Sequence, residues 1–246
     1  MTKLSVNINK VATLRNTRTV GIPSPVRLAR IALEAGADGI TIHPRPDARH
    51  IRPSDVEEIT LLMRDFPDAD FTLEGNPFFG LVDFARAARP SQCTLVPDDP
   101  DAFTSDRGWT LGGRIAPLTG AIERLKEYGA SVSLFMDIDS TEIASVAEVG
   151  ADGIELYTEP YAAAVAKGMG VEDALDAIAT TAAAAEAHGL YVNAGHDLNL
   201  ENLGPLLRRV PAIAEVSIGH ALIADALEWG IAEAVGRYKE EIQNSK

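Results

Sequence analysis

The sequence predicts a TIM barrel, a closed ring of eight parallel β-strands surrounded by helices. A repeated pattern supports this fold class: a helix end is followed by glycine and then by a short apolar strand. Eight such strand-and-helix units can be placed within 246 residues, an ordinary length for a single-domain barrel. A doubly wound open sheet would not require eight units, so we predict one barrel domain over residues 1–246, with extra short helices.

Four segments show the repeated pattern most clearly. In each of them the glycine suits the left-handed residue that closes a helix. The β-branched run that follows is typical of a parallel strand covered on both faces. The segments are EAGADGITIH at residues 34–43, EYGASVSLFMD at 127–137, EVGADGIELYT at 148–158 and EAHGLYVNAGH at 186–196.

Applied along the chain, the same pattern predicts every strand and most helices. The predicted strands are Leu4–Asn9, Gly39–His43, Asp70–Glu74, Gln92–Val96, Ser131–Asp137, Gly153–Thr158, Leu190–Gly195 and Glu215–Gly219. The predicted helices are Pro25–Ala35, Ser54–Arg64, Phe78–Ala88, Gly120–Tyr128, Thr141–Glu148, Val171–His188, Leu200–Leu207 and a last one from Ala221 to about Glu241.

Two predicted connections are longer than the usual βα loop of a few residues. They are Lys10–Ser24 after the first strand and Pro97–Gly113 after the fourth. Both follow carboxyl ends of strands, where barrel enzymes carry their chemistry. A third surplus, Glu159–Gly170, predicts an additional short helix, for which an oligomer contact or support for a lid is the simpler role.

The charge distribution restricts the class of partner. The chain has a formal net charge of −14, yet its first 52 residues hold nine Lys and Arg against three acids. An acidic surface repels polyanions, so nucleic acids and anionic membranes are disfavoured. A small anion bound near the basic N-terminal fifth is compatible with this pattern.

Localisation and cysteine content are simpler to interpret. The longest apolar runs are too short to cross a bilayer, and the N-terminus lacks a signal-peptide core, so we expect a cytoplasmic protein. The lone Cys93 excludes an intrachain disulfide or a cysteine-based metal cluster. We expect its thiol to be buried and unreactive.

Polar residues concentrate at the carboxyl ends of the predicted strands. Four of the five histidines fall there, namely His43, His50, His196 and His220, and Glu74 ends the third strand. Such a cluster offers general acids and bases that exchange protons near neutral pH. Three converging ligands could instead hold zinc, although neither HxH nor HExxH spacing occurs.

Two places in the sequence could bind phosphate. Gly195-His196 and Gly219-His220 each place a glycine before a predicted helix, whose free N–H groups favour an anion. Asp197 could cap the first of these helices, but would repel phosphate if it pointed inward. The second place is a basic cluster beside the first two strand ends, where guanidinium groups could engage phosphate, although a solvated surface is the simpler interpretation. Its members are Lys10, Arg15, Arg18, Arg45, Arg49 and His50; Arg27 and Arg30 are expected to be solvated.

Several segments together resemble one known family over nearly the whole chain, pyridoxine 5′-phosphate synthase or PdxJ. The segments are NINKVATLRNTR (7–18), EAGADGITIHPRPDARHI (34–51), the TLE ending at Glu74, LVP (95–97), VSLFMD (132–137), IELYT (154–158), VNAGHDL (192–198) and SIGHALI (217–223). The resemblance implies a transferase of vitamin B6 biosynthesis, built as a TIM barrel and assembled as an octamer. It condenses 3-amino-2-oxopropyl phosphate with 1-deoxy-D-xylulose 5-phosphate.

The resemblance also implies a role for particular residues. The acid–base residues of the family match His43, Glu74 and His196. Positions that contact the xylulose phosphate match Asn9, Lys10, Arg45, His50 and Thr104, and positions that contact the amino ketone match Asn7 and Arg18. The phosphate of the amino ketone would lie at Asp197, Gly219 and His220. Every step of the family's reaction proceeds through proton transfer, so the resemblance implies neither a redox cofactor nor a metal. The loop that carries Thr104 would close over the site.

The chain departs from the commonest family pattern at three places. Asn9-Lys10 stands where many members have Asp-His, Asp197 stands where many have Gly, and Thr19 replaces a usual Gly. Two alternative functions follow from the same residues. One is a Schiff-base aldolase that uses Lys10, and the other is a catalytically silent barrel that senses a phosphorylated metabolite.

Overall fold

Eight parallel strands form a closed barrel in sequential order, which confirms the predicted fold class. The structure, a computed structural model, describes residues 1–112 and 115–245, and only the backbone of residue 115. Gly113, the end of the second long connection, lies outside the described residues. The strands are β1 Lys3–Asn7, β2 Gly39–Ile42, β3 Asp70–Gly75, β4 Gln92–Leu95, β5 Ser131–Asp137, β6 Gly153–Tyr157, β7 Tyr191–Gly195 and β8 Ile213–Ile218.

Helices surround the barrel, and none of those described is both long and apolar enough to span a membrane. They are α1 Asn9–Asn16, α2 Pro25–Glu34, α3 Pro53–Met63, α4 Val82–Ala88, α5 Ile115–Glu127, α6 Ile143–Glu148, α7 Glu159–Lys167, α8 Val171–Ala187, α9 Leu203–Arg209, α10 His220–Trp229 and α11 Ile231–Asn244. The short helix expected after the sixth strand is confirmed by α7.

Several predicted boundaries are wrong. The helix predicted from Gly120 begins at Ile115, and the helix predicted from Leu200 begins at Leu203. The connection Lys10–Ser24 is not all loop, because α1 occupies its first half. The predicted last helix is two helices, because Gly230 adopts φ 83° and ψ 151°, which no helix continues through. The helix expected from Phe78 begins instead as an irregular turn over Pro77–Leu81, in which Gly80 has φ 95°.

The barrel interior is polar, whereas branched apolar side chains usually fill it. Hydrogen bonds join side chains on strands that are not neighbours, which is possible only across the interior. Gln92 on β4 donates to Glu215 on β8 at 3.0 Å, and Asn193 on β7 donates to Gln92 at 3.0 Å. Buried polar side chains on the strands include Ser5, Thr41, Thr72, Thr94, Ser133, Glu155, Asn193 and Glu215.

The apolar core lies between the outer face of the barrel and the helices. Because successive side chains on a strand point to opposite faces, the apolar residues that alternate with the polar ones pack outward. Leu4, Ile40, Leu73 and Leu134 are fully buried in this layer, and each contributes roughly 1.5–3 kcal/mol. Cys93 is also buried there, and burial raises the pKa of its thiol to about 12, as an unreactive thiol requires.

A buried ion pair fixes α1 against α3. Arg15 Nη1 donates to Asp55 Oδ1 at 2.5 Å and Arg15 Nη2 donates to Asp55 Oδ2 at 2.7 Å, with both side chains buried. Asn16 Nδ2 donates to the carbonyl oxygen of His50 at 2.8 Å. The prediction that Arg15 belongs to an anion site is therefore wrong, because its guanidinium is already committed to Asp55.

Asp55→Ala should lower the free energy of unfolding by about 3–5 kcal/mol, because it leaves the Arg15 guanidinium buried without its partner. Urea denaturation measures the effect. The matched control is Asp65→Ala, which removes an exposed partner of Arg30 and should change stability little. Equal losses in the two variants would contradict the structural role of Arg15.

Candidate active site

The three predicted acid–base residues lie at the carboxyl ends of the strands, around one centre. His43 directly follows β2 and Glu74 lies on β3, with 4.0 Å between His43 Nδ1 and Glu74 Oε2. Asn7 Nδ2 donates to Glu74 Oε2 at 3.2 Å, and Asn9 Oδ1 accepts from the backbone N–H of His43 at 2.9 Å. The two asparagines therefore hold this carboxyl group and the His43 backbone in place.

A second buried carboxyl group, Glu155 on β6, belongs to this centre. Burial raises the pKa of Glu74 well above its ordinary value, and the neighbouring Glu155 and Asp98 raise it further. Burial also raises the pKa of Glu155 to about 7, although Thr94 Oγ1 donates to Glu155 Oε2 at 2.9 Å. Near neutral pH the pair therefore retains a proton.

The sequence alone assigned no role to Glu155, which lies in the middle of β6. The available signal is a glutamate inside the otherwise apolar strand GIELY. The partner of Glu155 could not be recognised from sequence, because Gly195 lies on another strand. A Cβ atom at Gly195 would come within 2.4 Å of Glu155 Oε1, so only glycine leaves room for the carboxyl group.

The pKa values of the histidines are shifted in the opposite direction, below the ordinary value. Burial lowers the pKa of His43 well below its ordinary value, and the positive charge of Arg45 lowers it further. Burial lowers the pKa of His50 to about 4, with Arg45 and Lys10 adding to the effect. Burial also lowers the pKa of His196, despite an opposing effect of Asp197. The His43 imidazole, with its lowered pKa, thus lies beside the Glu74 carboxyl group, with its raised pKa, an arrangement that separates base from acid.

Aromatic side chains fix the ring of His196. Its centroid lies 5.1 Å from that of Phe135 and 5.2 Å from that of Tyr157. The backbone of His196 has φ 78°, an uncommon conformation for a residue with a side chain. Thr158 Oγ1 lies 2.6 Å from the carbonyl oxygens of both Gly195 and His196, which share its one hydroxyl proton, and this secures the turn.

Two of the predicted phosphate-binding arginines hold the segment that follows β4. Arg45 forms a buried ion pair with Asp98, and its Nη1 donates to the carbonyl oxygen of Ala102 at 3.0 Å. Arg49 Nη1 donates to the carbonyl oxygens of Ala102 and Phe103 at 2.7 and 2.9 Å. A phosphate that reaches these guanidinium groups must replace contacts that they make in this structure.

The segment after β4 also limits the space beside His43. The cavity there, lined by His43, Arg45 and Asp98, has a volume of only about 10 Å³, whereas a cavity of about 680 Å³ opens at the opposite end of the barrel. Barrel chemistry is carried by the carboxyl ends of strands, so size alone does not identify the site. Thr104 lies exposed on the same segment.

Lys10 and Arg18 lie at opposite ends of α1. Lys10 is exposed in the first turn, close enough for its charge to lower the pKa values of His50 and His196. Arg18 is exposed beyond the last turn, at the far end of this helix. The structure therefore brings Lys10 to the centre but not Arg18.

The turns after β7 and β8 differ. Gly219 directly precedes α10, whose first residue is the exposed His220, so this helix start can receive an anion. After β7 the next helix starts only at Leu203, with Asn202 before it, so the predictions that a helix follows Gly195-His196 and that Asp197 caps it are wrong. Asp197 is exposed, with φ 57°.

Among residues 1–112 and 115–245, no three or more His, Cys, Asp or Glu side chains are grouped as a metal site requires.

Comparison with known proteins identifies the family. A family model described as pyridoxal phosphate biosynthesis protein PdxJ matches residues 4–244. The chain belongs to the PdxJ family. Curated PdxJ relatives named pyridoxine 5′-phosphate synthase include those of Albidiferax ferrireducens, 52% identical, and Mesorhizobium japonicum, 50% identical, each over 96% of both chains.

Solved structures show the same fold as this PdxJ chain at low sequence identity. The tryptophan synthase alpha chain of Legionella pneumophila has a TM-score of 0.67 at 14% identity, over 99% of this chain and 92% of that one. Tryptophan synthase of M. tuberculosis has a TM-score of 0.63 at 14% identity, over 98% and 92%. These likenesses concern the barrel fold alone.

The raised pKa of Glu155 makes a prediction about stability and pH in this PdxJ protein. Because the folded pKa of about 7 lies above the ordinary 4.5, the group favours the folded state below about pH 4.5, and this contribution is lost as the pH rises through 7. Urea denaturation of wild type and Glu155→Gln should therefore show wild type losing about 3 kcal/mol relative to the variant between about pH 5 and pH 8.

The matched control for this pH series is Glu57→Gln, which changes an exposed carboxyl group on α3. Its difference from wild type should stay constant across the same pH range. A constant difference for Glu155→Gln as well would show that Glu155 ionises normally in the folded protein.

Proposed function

We propose that this protein is a pyridoxine 5′-phosphate synthase that joins 3-amino-2-oxopropyl phosphate to 1-deoxy-D-xylulose 5-phosphate by acid–base catalysis. Pyridoxine 5′-phosphate, phosphate and water are the products. One observation carries this proposal: the His43 imidazole lies 4.0 Å from the Glu74 carboxyl group, where burial lowers the pKa of the histidine and raises those of Glu74 and its neighbour Glu155. The names of the curated relatives support the same activity.

In this mechanism the buried groups divide the proton transfers. Imine formation and phosphate elimination both need a proton donor and a nearby acceptor, and protonated Glu74 and neutral His43 supply them 4.0 Å apart. His196, held between Phe135 and Tyr157, assists ring closure from the opposite side of the barrel mouth. Burial keeps each group in the form that its role requires.

The polar groups around the centre divide between the two substrates. Asn9, Lys10, Arg45, His50 and Thr104 bind the xylulose phosphate in this proposal, and Asn7 and Arg18 bind the amino ketone. The phosphate group of the amino ketone lies at the start of α10 in this proposal, with Gly219, His220 and Asp197. A Cβ atom at Gly219 would come within 3.2 Å of Asn7 Cβ, so the glycine lets the two turns approach closely.

Binding of the xylulose phosphate is coupled to the segment after β4. The phosphate competes with Asp98 and with the carbonyl oxygens of Ala102 and Phe103 for Arg45 and Arg49. Exchange of these partners moves the segment, and Thr104 moves with it. In this proposal the segment first releases the two guanidinium groups to admit the substrate, and the expected closure of the loop over the substrate follows.

Assembly and location form part of the same proposal. Arg18 is followed by Val20 and Ile22, whose side chains are 61% and 67% exposed. Exposed apolar residues beside a substrate-binding arginine suit a contact between subunits. We therefore propose that the protein forms a homo-oligomer, an octamer by family resemblance, in which this region contacts a second copy. We also propose that it is located in the cytoplasm.

Glu74→Gln should abolish product formation, with a loss of about 10²–10⁴-fold or more, because the amide cannot transfer the proton. Binding of 1-deoxy-D-xylulose 5-phosphate, measured by calorimetry, should stay largely intact. Product absorbance and released phosphate are followed together in one assay. Near-wild-type turnover in this variant would refute the role of Glu74, and Glu57→Gln is the control for an exposed carboxyl group.

The aldolase alternative makes a separate prediction about Lys10. A Schiff-base lysine is usually activated by burial, yet Lys10 is exposed. Borohydride added with either substrate should therefore leave no covalent adduct on Lys10 in mass spectrometry. An adduct at this residue would favour the aldolase, and binding of both substrates without turnover would favour the silent sensor.

A further inference from the structure

A cavity of about 680 Å³ opens at the amino-terminal ends of the strands, and the proposed mechanism has no use for it. Its volume lies within the range of roughly 300–1,000 Å³ that is typical of small-molecule sites. His43, Glu74 and His196 lie at the opposite ends of the strands, so a ligand in this cavity would not occupy the acid–base centre. The cavity is lined by the first residues of six strands, namely Lys3, Asp70, Gln92, Ser131, Tyr191 and Ile213.

A buried carboxyl group, Glu215 on β8, lines the cavity and is only 5% exposed. Gln92 Nε2 donates to Glu215 Oε1 at 3.0 Å and to Thr72 Oγ1 at 3.1 Å, so both protons of this amide are in use. Within residues 1–112 and 115–245, Glu215 Oε2 accepts no hydrogen bond. Because no fully buried polar side-chain atom in this part of the chain lacks a partner, Oε2 must open onto the cavity.

A second acceptor, Asn193 Oδ1, lies beside this carboxyl group. Asn193 and Glu215 are register partners on β7 and β8, so their side chains lie next to each other on the same face of the sheet. Asn193 Nδ2 donates to Gln92 Oε1 at 3.0 Å, which fixes the orientation of the amide, and among the described residues its Oδ1 accepts no hydrogen bond. A ligand that satisfies both acceptors therefore has to supply the protons.

The charges around the cavity favour a cation. Lys3 Nζ donates to Asp70 Oδ2 at 2.5 Å, so these two charges offset each other. Glu215 has no such partner within the described part of the chain. Burial raises the pKa of Glu215 to about 7, Asp70 raises it further, and Lys3 lowers it. A positively charged ligand would supply the counter-charge that the Glu215 carboxylate lacks.

The remaining wall of the cavity is largely apolar. Leu207, Ile213 and Ile242 are almost fully buried, and they line the cavity together with Pro211 and Ala212. Hydrocarbon side chains of this kind suit a hydrocarbon ligand rather than a hydrated metal ion. In addition, no three His, Cys, Asp or Glu side chains of the described residues are grouped as a metal site requires. The cavity thus combines acceptors at one end with an apolar wall.

We propose that this cavity binds a small organic amine that carries no phosphate group. The protonated amino group donates to Glu215 Oε2 and Asn193 Oδ1, and the hydrocarbon body contacts Leu207 and Ile242. A phosphate ester would bring its negative charge close to the carboxylates of Asp70 and Glu215, so neither substrate of the proposed reaction suits this site. The amine site is therefore separate from the acid–base centre and does not depend on the proposed function.

Titration of the protein with cyclohexylammonium chloride, followed by ligand-observed NMR, tests the proposal. Wild type should bind cyclohexylammonium at least about tenfold more tightly than cyclohexanol, because only the amine offers a charge-assisted hydrogen bond. Glu215→Gln keeps the size of the side chain and removes its charge, so it should weaken amine binding about tenfold or more. The matched control is Glu57→Gln, at an exposed carboxyl group beside another apolar cavity of about 600 Å³, and it should leave the affinity unchanged.

Amine binding should also strengthen with pH. Cyclohexylammonium stays protonated while Glu215 ionises near pH 7, so the dissociation constant should fall about tenfold between about pH 6 and pH 8. Of the other groups near Glu215, Lys3 stays charged beside Asp70, which raises the pKa of the lysine, and Tyr191 stays neutral because burial raises its pKa. Glu155 has a pKa of about 7 as well. Glu155→Gln should therefore keep the pH dependence of amine binding, and Glu215→Gln should lose it.

A second variant tests the cavity without changing Glu215. Ala214 is exposed and lines the cavity, so Ala214→Trp should fill part of it and abolish amine binding even if Glu215→Gln fails to fold. Wild type that binds no cyclohexylammonium, or that binds cyclohexanol equally well, would overturn the proposal. Unchanged amine affinity in Glu215→Gln or in Ala214→Trp would overturn it too.

Discussion

The burial of two neighbouring carboxyl groups is the constraint on which the rest of this structure depends. Glu74 and Glu155 cannot both be ionised at this depth without a large cost, so the pair retains a proton near neutral pH. The same burial keeps His43 neutral, so a donor and an acceptor stand within one small volume. The surrounding residues make this arrangement of donor and acceptor possible, and the arrangement suits acid–base catalysis.

A polar barrel interior accommodates that pair. An interior filled with branched apolar side chains would leave the Glu155 oxygens without partners, whereas Thr94 donates to one of them here. Glycine at 195 leaves room for the other oxygen, and glycine at 153 admits the Tyr191 ring. Within the described residues, no fully buried side-chain polar atom lacks a hydrogen-bond partner, so the polar interior is satisfied rather than strained.

Much of the fold could be predicted from sequence, because glycine-to-strand junctions are local signals. The helix α1 could not, since its low hydrophobicity is offset by the Arg15–Asp55 pair, a contact between residues 40 positions apart. The division into α10 and α11 depends on the backbone of a single residue, Gly230. The periodic spacing of apolar residues along the sequence does not indicate such a break between two helices.

The site was predictable in its composition but less so in its contacts. His43, Glu74 and His196 could be recognised at strand ends and through family resemblance, and the structure brings them to one centre. That Arg45 and Arg49 hold the segment after β4 could not be foreseen, because both partners are distant loop positions. Glu155 escaped assignment because its importance comes from burial beside Glu74, a property of the closed barrel.

Neutron diffraction from deuterated crystals near neutral pH tests the central claim most directly, since it locates individual protons. The account predicts a deuteron on a carboxyl oxygen of Glu74 or Glu155. It also predicts that only one of the two ring nitrogens of His43 carries a deuteron. Two bare carboxylates beside a doubly protonated His43 would contradict it.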